Sequence, residues 1–185
     1  MRIENTRDHY GAVAMALHWI MAVLLVVLIA MGLYMVRLPD VGFDKLKINL
    51  IIYHKEIGML VLLLMLLRWA WRFVNGLPAL VASLPDWQKL SARFVHLCFY
   101  ALILALPMTG WLMSSAAGFP VPFLGIYLPD LIGYDDHLFH VLADVHKWLA
   151  YALIPLIAIH MGAALWHHFV ERDATLKKML PASGD

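Results

Sequence analysis

The residues in this chain best suited to chemistry are its histidines. There are ten among 185 residues, and several sit in stretches without formal charge. His18 lies in the uncharged run from Tyr10 to Val36, and His160 lies in the uncharged run from Trp148 to Val170. A neutral imidazole offers one lone pair to a metal and one N–H to a partner, and it titrates near neutral pH. His146 and His160 are fourteen residues apart. On a helix that is nearly four turns, leaving an offset of about 40° and an axial separation of about 21 Å. The two therefore share one face at different heights. Imidazoles facing each other from different helices can hold a haem iron from both sides. They can also hold another metal or form a hydrogen bond between helices.

The other reactive side chains narrow the chemistry. Cys98 is the only cysteine. There is no disulfide framework, no four-cysteine iron–sulfur site and no C-x-x-C-H haem attachment. A haem here would be non-covalent and b-type. The 11 Met residues are scattered as core filler rather than grouped as a copper path.

The elements that must position these histidines are transmembrane helices. Hydrophobic residues make up 63% of the chain, charged residues only 15%, and mean hydropathy is +0.75. Soluble domains are nearer half apolar and a quarter charged. This composition excludes a cytosolic enzyme, a disordered chain and a nucleic-acid binder, and a net charge of +1 gives no bulk attraction to nucleic acid. The expected fold is all-α: an integral membrane four-helix bundle, residues 1–185 forming a single transmembrane domain. Helices are expected at about 10–37, 48–74, 93–116 and 138–170. The first is too long for a signal peptide. The second is the weakest, because its uncharged heart, Ile57 to Leu67, must be extended through Lys55, Glu56 and Arg68. Asn75 to Ala92 reads as a connecting loop. Gly118, Pro120 and Pro122 break the helical pattern, so Ala116 to Pro129 reads as an apolar surface loop.

Four crossings put both termini and the Asn75–Ala92 connection on one side. That side carries nine basic residues, among them Arg7, Arg68, Arg72, Arg93 and Lys178, against five on the other. The positive-inside bias places both termini in the cytoplasm. His18 and His160 then share the cytoplasmic depth, and His54 and His146 share the outer depth. Two bis-imidazole pairs, each drawn from different helices, would stack two haems across the bilayer. Gly58, one turn past His54, and Gly162, two residues past His160, are candidates for letting a flat ring approach.

These residues resemble the bacterial cytochrome b561 family. The likeness rests on His18-Trp19, on His54 with Gly58 and Arg68, and on His96 with Leu106-Pro107 and Gly110. It is most specific in the last helix, where His146, Trp148, His160 and His167-His168 lead into an Asp173-x-Thr175-Leu176 tail. Trp148 follows the ligand histidine, where some relatives have Trp just before it. The resemblance implies a bundle in the bacterial inner membrane with two haem b groups. It pairs His18 with His160 on the cytoplasmic side and His54 with His146 on the periplasmic side, the pairs that depth matching gives. It implies electron exchange with ubiquinone, with superoxide as a donor to the outer haem in at least one branch of the family. The alternative is a haem-bearing membrane anchor passing electrons from a partner dehydrogenase or hydrogenase to quinone. A haem-free metal or ion carrier is a third class.

The remaining polar residues have two readings each. Lys55 and Lys147 follow the outer histidines and could pair with haem propionates or steer superoxide; snorkelling to lipid headgroups is the plainer role. Arg68 shares the His54 face at the inner end, where it could meet a propionate, a quinone carbonyl or only the membrane interface. His96 could reach a propionate or a quinone, or form an interface hydrogen bond. His167 continues the His160 face and could exchange a proton with a quinone, or it could be a solvated helix end. His168 points about 80° away, and His140 is turned off the ligand face. His9 and His137 are unassigned. Trp69, Trp71, Trp148 and Trp166 read as an interfacial aromatic belt.

Overall fold

The computed structural model describes residues 2–39, 45–79, 81 and 84–181. Within them, four long helices follow one another: α1 (Ala12–Met35), α2 (Lys45–Asn75), α3 (Asp86–Ala116) and α4 (Asp136–Trp166). All four are long and apolar enough to cross a membrane. The expected four-helix bundle is the observed one.

Local chemistry sets the helix starts. Gly11 precedes α1, and a Cβ there would collide with the backbone of Ile3 and Glu4, which folds back across it. Asp135 starts α4 by accepting a hydrogen bond from the Leu138 N–H at 2.9 Å. Pro85 precedes α3, and Asp86 sits in its first turn, where the helix dipole favours an acid. The third helix therefore begins well before the expected residue 93. Residues 86–92, expected as the end of the connecting loop that holds Pro78 and Pro85, form its first two turns. Leu80, Ala82 and Ser83 of that connection lie outside the described residues.

The stretch Ala116 to Pro129 is also more ordered than a surface loop. Val121–Phe123 (β1) and Ile126–Leu128 (β2) form an antiparallel hairpin, with Phe123 opposite Ile126. Its two-residue turn, Leu124-Gly125, has positive φ at both positions, the geometry that matches strand twist. Val121 is buried against Met59 and Leu62 of α2. Trp111 Nε1 donates to the Pro129 carbonyl, and the Ser115 hydroxyl accepts from the Leu131 N–H, both at 3.1 Å. The hairpin is thereby pinned across one end of the bundle.

The opposite end gathers both termini and the α2–α3 connection. Tyr10 N–H donates to the Lys178 carbonyl, Ala79 N–H to the Arg7 carbonyl, and Asn5 Nδ2 to the Gly76 carbonyl. Halfway between the two ends lies an apolar layer drawn from all four helices: Met21 and Leu25, Val61 and Met65, Ile103, and Leu153.

Candidate functional site

Two imidazole pairs flank this apolar layer. At the termini end, the rings of His18 (α1) and His160 (α4) have centroids 6.2 Å apart at an interplanar angle of 67°. At the hairpin end, His54 (α2) and His146 (α4) have centroids 6.3 Å apart at 72°. Leu153 sits seven residues from each α4 histidine and is 1% exposed. The helix repeat thus places the two histidines and the leucine on one face.

The spacing can be tested against a metal between the rings. Metal–imidazole bonds are about 2 Å and the ring radius is about 1.1 Å. Two imidazoles on opposite sides of one ion therefore have centroids about 6 to 6.5 Å apart, which both pairs satisfy. Among the described residues, no group of three or more His, Cys, Asp or Glu side chains could hold a metal ion. Each pair offers two imidazoles and no third protein donor, which would suit a flat group that brings further donor atoms of its own.

The surroundings of the hairpin-end pair are specific. His146 Nδ1 lies 3.1 Å from the Thr109 hydroxyl. A Cβ at Gly110 would sit 3.4 Å from His146 Cε1, and one at Gly32 would sit 3.7 Å from His54 Cε1. Gly32 and Gly110 are therefore the glycines against the rings. Gly58 and Gly162, singled out from the sequence, touch no ring: a methyl at either meets nothing within 4 Å. Gly58 lies one turn past His54 on the same helix face, and the open space at Gly58 and Gly162 leaves room for a flat ring to approach. Gly32 and Gly110 approach from other helices and leave no local signature. His54 Nδ1 is buried without a hydrogen-bond partner among the described residues.

The termini-end pair has a denser aromatic and basic setting. His160 also meets His96 at 5.7 Å and Phe99 at 5.1 Å, and His18 packs against Trp19. Trp19 Nε1 in turn donates to the Met179 carbonyl at 2.8 Å, tying α1 to the C-terminal tail. Arg68 is within electrostatic reach of His18, His96 and His160. Arg72 donates to the Tyr100 hydroxyl at 2.8 Å and lies over its ring. Burial raises the Tyr10 phenol above its ordinary pKa, against the opposing pull of Arg68. The structure thus brings Arg68 and His96 to this pair, and adds Arg72 and Tyr100.

The two lysines have partners of their own. Lys147 is bound to Asp144 one turn earlier at 2.6 Å, and its side chain is half exposed. Lys55 reaches the Phe119 ring beneath the hairpin. His167 lies past the end of α4 in a π-helical turn, His167–Glu171, closed by Arg172 in the left-handed region. Its Nδ1 meets Asp173 at 2.7 Å, and both side chains are nearly buried. Burial alone would raise the Asp173 pKa, but hydrogen bonds from Thr175 and His167 outweigh it and hold the carboxyl below its ordinary value. His167 is thus not a solvated helix end. His140 lies 3.9 Å from Asp136, off the ligand face as its spacing requires.

Comparison with known proteins gives one consistent answer. The family model described as prokaryotic cytochrome b561 matches residues 9–182. The chain is 33% identical over 186 residues to "Cytochrome b561 homolog 2" of Escherichia coli (strain K12), covering 99% of this chain and 97% of that one. It is 31% identical over 128 residues to "Cytochrome b561 homolog 1" of the same organism, covering 69% and 73%. It is 28% identical over 174 residues to "Probable superoxide oxidase CybB" of Yersinia pestis, covering 93% and 96%.

Proposed function

The chain belongs to the prokaryotic cytochrome b561 family, multi-pass membrane b-type cytochromes that carry electrons across the bilayer, and on that premise we propose that it holds two haem b groups. One lies between His18 and His160, the other between His54 and His146. The observation that supports this is the pair of centroid distances, 6.2 and 6.3 Å, each joining α4 to a different helix. Bound haem supplies one-electron chemistry, its iron cycling between two oxidation states.

The protein's own residues do the rest. The four imidazoles fix each group at a set height. The layer around Leu153 excludes water between the two heights. Arg68, Arg72 and Tyr100 offer charge-assisted hydrogen bonds to propionates or to a quinone carbonyl at the termini end. His167, held by Asp173, is the nearby group suited to exchanging a proton with a quinone.

The termini end faces the cytoplasm of a bacterial inner membrane and exchanges electrons with ubiquinone. The hairpin end faces outward, where superoxide is the donor that the name of the Yersinia relative suggests. Superoxide gives up one electron and leaves as dioxygen, and two such electrons with two protons turn a quinone into a quinol.

The test is anaerobic purification with haem stoichiometry, followed by stopped-flow mixing with superoxide and, separately, with ubiquinol. Two haems per chain and rapid reduction by superoxide support the proposal. One haem or none refutes the paired assignment. Two haems that neither reagent reduces would identify the chain instead as the membrane anchor of a dehydrogenase or hydrogenase.

A further inference from the structure

The two imidazoles of the hairpin-end pair are not equivalent. His146 Nδ1 faces the Thr109 hydroxyl at 3.1 Å, whereas His54 Nδ1 is buried with no partner among the described residues. Thr109 is itself committed. Its hydroxyl lies 2.8 Å from the Ala105 carbonyl and 2.9 Å from the Leu106 carbonyl. A hydroxyl has one proton to give, and helical threonines commonly give it to the carbonyls three and four residues back. With its proton directed there, Thr109 presents a lone pair to His146, beside the Leu106 carbonyl that also accepts from that ring.

We infer that Thr109 is a positioning residue: it accepts the His146 Nδ1–H, and so fixes the tautomer in which Nε2 keeps its lone pair for the site shared with His54. The adjacent Gly110 allows this placement, since a Cβ there would press His146 Cε1 at 3.4 Å. The inference rests on the proposal that His146 is an axial ligand. A ligand imidazole whose second nitrogen donates a hydrogen bond is more basic and better oriented. Greater basicity favours the oxidised iron. The Thr109 side therefore lowers the potential of the hairpin-end haem, while the His54 side, with Nδ1 unpartnered, contributes no such effect.

The experiment compares Thr109→Val, Thr109→Ser and Thr109→Ala in the full-length holoprotein. Valine keeps the shape and removes the hydroxyl; serine keeps the hydroxyl. Redox titration followed by optical and EPR spectra reads each haem separately. Thr109→Val is expected to raise one of two midpoint potentials, by up to tenfold in the reduction equilibrium, or about 59 mV for one electron. The other potential stays fixed, and Thr109→Ser stays near wild type. Should valine fail to fold, Thr109→Ala is expected to show the same rise. Both potentials unchanged in the valine or alanine variant overturns the inference, as does an equal shift in the serine variant. His146→Ala keeping two low-spin haems would instead overturn the ligand assignment beneath it.

Discussion

Replacing His160 by alanine should remove one haem and leave the other nearly undisturbed. The argument starts from the spacing along α4. His160 lies fourteen residues from His146, about 21 Å along the axis, with the six-residue apolar layer between them. Sites more than about 10 Å apart with no shared partners behave independently. Their remaining coupling is electrostatic. A unit charge acting across about 21 Å at an effective dielectric constant of about 20 contributes about 0.8 kcal/mol. For a one-electron couple that is about 35 mV. The holoprotein should therefore fall from two haems to one, halving the Soret absorbance per chain. The retained haem should titrate within about 35 mV of its wild-type potential. Pyridine haemochrome quantification and an anaerobic redox titration measure both quantities. Two haems retained in His160→Ala would refute the ligand assignment. One haem retained with a potential displaced by more than about 100 mV would refute the separation of the two sites.

Other outcomes follow from the same geometry. Lys147→Gln should leave superoxide-driven reduction within about twofold of wild type, because Asp144 already offsets the lysine charge at 2.6 Å; a strong loss of rate in stopped flow would restore a steering role. Leu153→Ala should cost about 2 to 5 kcal/mol, seen as a lower Tm for haem release; an unchanged Tm would mean the apolar layer is not packed as described. Asp173→Asn removes a charged acceptor of His167 and Thr175. A lost hydrogen bond of about 1 kcal/mol lowers Tm by roughly 2 to 4 °C in a chain of this length. Because the Asp173 pKa is lowered in the folded chain, its contribution is full above the ordinary carboxylate pKa of about 4 and fades as pH falls further. The Tm difference should thus be present at pH 7 and shrink at pH 3, as thermal scans at the two values would read. Reporter fusions at both termini should give cytoplasmic signals, and a periplasmic signal from either would reverse the orientation.

The four histidines were legible because helix geometry converts sequence distance into height and angle. That conversion needs only the approximate centre of each span, so errors at the ends did not spoil it. The sequence carries the connection through Pro78 and Pro85 to Ala92, whereas α3 starts directly after Pro85, because proline is tolerated just before a helix and Asp86 suits its first turn. A helix can extend past the bilayer with charged residues exposed, and Lys89 bonds Asp86 on that extension. The hairpin was missed because strands of three residues have too short a period to read beside Gly118, Pro120 and Pro122. Which side chains touch the rings is only partly legible: Trp19, His96 and Gly110 stand among the residues that carry the resemblance, but their contacts do not follow from spacing. Gly32, Gly110 and Thr109 reach their histidines across helix interfaces, and no spacing along the chain encodes which neighbour a residue will meet. His167 was singled out by its heptad step from His160. Its partner Asp173 depends on a π-turn and a left-handed Arg172 that no local pattern announces.

Helix α4 acts as the ruler of the molecule. His146, Leu153 and His160 recur at seven-residue intervals, so one face presents histidine, apolar spacer and histidine in order. The partners come from two helices, α2 for the hairpin end and α1 for the termini end. Sharing α4 between the two sites makes their separation a property of one helix, with Pro155 inside it between Leu153 and His160, rather than of packing between several. A change in how α1 and α2 pack could then loosen one site without altering the axial distance to the other. The layer around Leu153 serves the same end. It closes the middle of the bundle with side chains that have no proton to exchange and no charge to hold. Electrons can be passed between two fixed heights while protons are left to residues at the ends, which is the separation a transmembrane electron carrier requires.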